Sequence, residues 1–113
     1  MTDRELLELA AKAAGLRYIK PSADYSGALG LALCDEHGRL GQDWSPLADD
    51  GDALRLAVAL MVSVEISEHE ASTYAYAGSG ERVYAMELWR QDKNAATRRA
   101  IVRAAAEIGK AQL

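Results

Sequence analysis

Between Ala53 and Ile66 the chain changes its hydrophobic period, and that change constrains the fold more than any other stretch. In "ALRLAVALM", residues 53–61, Arg55 is the only polar residue. Leu54, Ala57, Val58 and Met61 form one stripe at helical spacing, and Ala53, Leu56 and Leu60 form a second beside it. A helix apolar around most of its circumference is buried on most sides. It lies deep in its domain or sits under a partner subunit. From Val62 the period becomes two: "VSVEI" places Val62, Val64 and Ile66 on one face and Ser63 and Glu65 on the other.

The flanking stretches fill in the rest. Residues 2–14, "TDRELLELAAKAA", read as a helix with a Thr2/Glu5 capping box and Gly15 as its stop. Residues 17–27 read as a loop with a short extended piece at 17–19. "ALGLALC", 28–34, alternates bulky and small residues without a charge, as a strand covered on both sides does. "DEHG", 35–38, is a turn, with a short return strand at 39–42. "STYAYA", 72–77, and "RVYAMELW", 82–89, read as strands joined by a "GSGE" turn at 78–81. The final helix spans about 93–111, with Asp92 as N-cap and Ile101, Val102, Ala105 and Ile108 as its buried face. The expectation is an α+β domain of packed layers over residues 1–113. It has three helices and a mainly antiparallel sheet of about four strands.

Composition excludes several classes. A chain of 113 residues with no Phe and abundant Ala, Leu and Val buries its core through aliphatic packing. A formal net charge of −4 argues against whole-domain nucleic-acid binding, which needs a cationic surface. Cys34 is the only cysteine, so no internal disulfide forms, in keeping with a cytoplasmic location. No apolar run approaches the ~18–20 residues of a membrane span, so no membrane association is expected.

The acids of "WSPLADDGDALRLAV", 44–58, raise the question of a site. Asp49 or Asp50 has the position of an N-cap, and Asp52 falls in the first turn, where negative charge meets the positive end of the helix dipole. The alternative is a divalent-metal site of oxygen ligands, but the EF-hand spacing is missing. Trp44, Asp49, Asp50, Asp52 and Arg55 together could frame a small ligand, and the acids favour a cationic or neutral one.

This string and "AATRRAIVRAAAEIG", 95–109, resemble the phage ABA-sandwich domain family of tailed bacteriophages and prophages. The resemblance implies an α/β/α sandwich and a cytoplasmic location in a bacterial host. It brings no biochemical activity with it.

Other candidates have plainer readings. His37 and His69 sit in polar turns, and a site would require them to converge. Cys34 ends an apolar strand and reads as a small hydrophobe. No nucleophile elbow, P-loop, dinucleotide fingerprint or zinc motif occurs, so no catalytic residue, metal or cofactor is expected. Arg98, Arg99 and Arg103 could touch phosphates, although a solvated helix face is the simpler reading. Tyr74, Tyr76 and Tyr84 could line one sheet face that suits an interface, although packing under the terminal helices is the simpler reading.

Three functions compete on this basis. The first is a phage accessory protein that binds rather than catalyses. It would act as a homo-oligomer, most simply a dimer, with Leu56, Leu60, Tyr74 and Tyr76 near the interface, or on a phage or host protein. The second is a nucleic-acid-associated protein using the C-terminal arginines. The third is a small metal-dependent enzyme using Asp49, Asp50 and Asp52.

Overall fold

A computed structural model describes residues 1–19, 30–78 and 83–112. Its elements are α1 (Asp3–Ala14), β1 (Tyr18–Ile19), β2 (Leu31–Cys34), β3 (Leu40–Trp44), α2 (Asp50–Leu60), β4 (Ser63–Ser67), β5 (Ser72–Ala77), β6 (Val83–Leu88) and α3 (Lys93–Ala111). Most of the expected loop at 17–27, the start of the 28–34 strand and most of the "GSGE" turn lie outside the described residues.

The fold is α+β, with three helices as expected. The strands differ from the expectation. Among the described residues there are six rather than about four, in two three-stranded antiparallel sheets ordered β1-β2-β3 and β4-β5-β6. The return strand is longer than its four residues of polar sequence suggested, because Trp44 pairs with Leu31 and extends it into the core.

Local chemistry accounts for the helix ends. Thr2 accepts the backbone N–H of Glu5 at 3.1 Å, one half of the expected capping box. Gly15 closes α1 at φ 72, in the left-handed region that glycine enters without strain. Asp92 accepts the N–H of Ala95 at 3.0 Å and starts α3. At the end of α2 the left-handed position falls on Met61, φ 54, which is no glycine. Its N–H and that of Val62 close the helix on Val58 and Ala57 carbonyls, so helix passes to strand with almost no loop.

The centre of the molecule is α3. Ala96, Ala100, Ile101, Val102, Ala104, Ala105, Ala106 and Gly109 are all buried in it. It packs on α1, on α2, and on β5 and β6. Small residues make this possible. A Cβ built on Gly109 would stand 2.0 Å from the carbonyl oxygen of Leu9, so α1 and α3 cross almost backbone to backbone. On the sheet side, Thr73, Ala75 and Ala77 of β5 and Ala85 of β6 meet the helix layer.

The helix expected to be covered nearly all round is thus not the deepest. α2 buries Ala53, Leu56 and Ala57, and turns Leu54, Val58 and Met61 to solvent. The physical reason is that α2 packs on α3 along one side, and nothing in the described chain covers its other side.

Candidate functional site

The segment from β3 into α2 holds the residues singled out in the sequence. Trp44 ends β3 and is buried. Pro46 behind it is fully buried as well. The Ser45 carbonyl accepts the N–H groups of Ala48 at 2.9 Å and Asp49 at 2.7 Å, so the chain makes a tight turn before the helix.

The acids then diverge to separate tasks. Asp49 is the N-cap: its carboxylate accepts the N–H of Asp52 at 2.8 Å. Asp50 points to α3, where Arg98 donates to it at 2.6 Å. The same guanidinium donates through Nε to the Leu47 carbonyl at 2.9 Å, and the Arg98 side chain is largely buried. Asp52, 7% exposed, turns inward. One of its oxygens accepts the Ser45 N–H at 2.9 Å and the other accepts from Arg55 at 2.8 Å. Arg55 also reaches to 3.8 Å from the Asp49 carboxylate. Residues 44–55 therefore form a clasp between β3, α2 and α3, in which every acid has a partner inside the chain.

Beside the clasp lies a cleft of about 200 Å³ lined by Trp44, Asp52, Arg55, Leu56, Leu33, Leu16 and neighbours. That is below the ~300–1,000 Å³ of a typical small-molecule pocket. Of the expected ligand-framing set, Trp44, Asp52 and Arg55 border this cleft, and Asp49 and Asp50 do not.

The remaining candidates separate. His37 is exposed in the 35–38 turn, and its backbone N–H is bonded to Asp35. His69 is exposed in the turn between β4 and β5. Cys34 is a free, half-buried thiol. Among the described residues, no group of three or more His, Cys, Asp and Glu side chains is arranged to hold a metal ion. The arginines are engaged one by one: Arg98 with Asp50, Arg99 with Asp3 at 2.9 Å, and Arg103 with Glu87 and the Met86 carbonyl. Helix α3 thus shows its basic residues mostly as ties to the rest of the fold.

The tyrosines do share one face. Tyr74 opposes Met86 and Tyr76 opposes Tyr84 across β5 and β6. The Tyr74 and Tyr84 rings sit 5.8 Å apart and tilted by 44°. Tyr74 donates its hydroxyl proton to Glu70, and that hydrogen bond is the first cause that holds its pKa above 10.0.

Of the expected interface residues, Tyr74 and Tyr76 are half-buried on this open face, Leu60 is partly buried, and Leu56 belongs to the core. The sequence did not point out that Leu54, Val58 and Met61 form the solvent side of α2. The signal was present as their i, i+4, i+7 spacing, but the stripe beside it was equally apolar. No family model matches the chain, and no curated protein or solved structure matches it.

Proposed function

We propose that this is a phage- or prophage-encoded accessory protein that acts by binding rather than catalysis, as a homo-oligomer in the cytoplasm of a bacterial host. The phage origin and the location rest on the resemblance of residues 44–58 and 95–109 to the phage ABA-sandwich family. Binding is supported chiefly by one observation: Leu54, Val58, Met61 and Ile66 are each more than 60% exposed. A cluster of large apolar side chains held in water is the usual mark of an interaction surface.

The competing functions have weaker support. A metal enzyme would need free carboxylates, and Asp49, Asp50 and Asp52 spend theirs on a helix cap, on Arg98, and on Ser45 with Arg55. A nucleic-acid binder would need free cations, and Arg98, Arg99 and Arg103 each have an acidic partner. The deciding experiment is sedimentation equilibrium at micromolar concentration, with single-stranded and duplex DNA titrated in parallel at physiological salt. The expected result is concentration-dependent self-association and no shift with DNA. A single species at the 12.2 kDa chain mass throughout, or a salt-sensitive DNA complex lost on Arg98→Ala, would overturn the proposal.

A further inference from the structure

Helix α2 and strand β4 each expose apolar side chains. Leu54, Val58 and Met61 on α2 are 63%, 69% and 84% exposed, and Val64 and Ile66 on β4 are 38% and 62% exposed. The register sets Val64 opposite Ala75 and Ile66 opposite Thr73. Those two β5 residues are buried against the helix layer, so Val64 and Ile66 point to the helix side of the sheet. They remain exposed because α3 packs mainly on β5 and β6 and only grazes β4. Helix α2, packed on α3, lies on that same side.

The two edges of this sheet are treated differently. At β6, Arg103 from α3 donates to the Met86 carbonyl and pairs with Glu87, so a side chain occupies the edge. β4 is the other edge. Its sequence, "SVEIS", has no Lys and no Pro, and it pairs with β5 without a bulge. Lys, Pro and bulges are among the devices that keep an edge strand from recruiting another strand, and the one charge on β4 is Glu65.

We propose that two copies of the chain join β4 to β4, antiparallel about a two-fold axis at Val64, into a six-stranded sheet with the two α2 helices closing over the seam. This builds on the self-association proposed above and names its surface. The register follows from the side chains. An axis at Val64 sets Val64 against Val64 of the partner subunit, a β-branched pair that stabilises a strand pair, and brings Ile66 of the partner subunit beside Val62, the buried residue that precedes β4. Ser63 then faces Glu65 of the partner subunit. An axis at Glu65 would oppose two carboxylates, which destabilises. An axis at Ile66 would drive the 68–71 turn into the seam and leave Val62 unpaired.

The five exposed side chains offer roughly 500 Å² per copy, so a pair that covers them fully buries about 1,000 Å² before any backbone is counted, which meets the ~1,000 Å² threshold for a biological interface.

Val64→Cys in a Cys34→Ser background tests the pairing. Facing Cα atoms of an antiparallel pair lie about 4.5–5.5 Å apart, within the ~4.4–6.8 Å that a disulfide spans. Mild oxidation is expected to give a covalent dimer at twice the chain mass. Leu88→Cys in the same background is expected to give none. Val58→Glu, at a site exposed enough to leave the fold intact, is expected to weaken the dimer about 100-fold in sedimentation. A monomer at every concentration overturns self-association and the pairing together. A dimer that neither cross-links through Val64→Cys nor responds to Val58→Glu overturns the β4 pairing alone.

Discussion

Replacing Asp52 by alanine tests whether the acidic motif is a clasp. The Asp52 carboxylate is buried and accepts two hydrogen bonds, from the Ser45 N–H and from Arg55. Its loss leaves the partly buried Ser45 N–H without an acceptor, at a cost of ~1–3 kcal/mol. The ion pair to Arg55 adds only ~0.5–1 kcal/mol, because the arginine side is mostly in water. The sum is about 3 kcal/mol. For 113 residues the unfolding entropy is ~0.24 kcal/mol/K, so Tm should fall by about 12 °C. Asp52→Asn keeps an acceptor for Ser45 and should cost about half as much. Asp49→Ala removes a single cap, at about 1 kcal/mol. Thermal unfolding followed by circular dichroism, with urea melts for the free energies, reads all three variants. If Asp52→Ala costs no more than Asp49→Ala, the inward carboxylate is not the anchor of the clasp.

Three further outcomes follow from the same structure. Gly109→Ala should destabilise by about 1–3 kcal/mol in urea melts although helix propensity favours Ala, because its Cβ would meet Leu9 backbone that cannot step aside. A stabilised variant would show that α1 and α3 are not in such close contact. The raised pKa of Tyr74 means that the unfolded chain loses this proton first. Its stabilising effect is therefore complete below pH 10.0 and is lost as pH rises through the folded-state value. In a titration of tyrosinate absorbance, Glu70→Gln should shift one tyrosine to lower pH, and an unchanged curve would refute the Tyr74–Glu70 bond. Thermal melts in EDTA, Mg²⁺ and Ca²⁺ should coincide. A rise of several degrees with one metal, lost in Asp49→Ala, would revive a metal site.

The features legible before folding are those whose partners lie within a few residues. Thr2, Asp49 and Asp92 are caps because each oxygen reaches an N–H three positions on, and Gly15 stops α1 through its own backbone freedom. The change of period at Val62 separates α2 from β4 for the same reason, since pleat and helix turn are local geometry. The fates of Asp50 and Asp52 were not legible to the same degree. Asp50 meets Arg98 across 48 positions of chain, and such a pairing depends on where α3 docks. The division of the strands into two sheets is of this kind too, because β-pairing is decided between segments rather than within them. Tertiary packing also decided which helix became central. Two apolar stripes on α2 were equivalent in pattern, yet small side chains and Gly109 let α3 approach α1 closely enough to take the centre. Helix α2 was left with Leu54, Val58 and Met61 in water because close approach, which depends on both partners, outweighs hydrophobicity, which belongs to one.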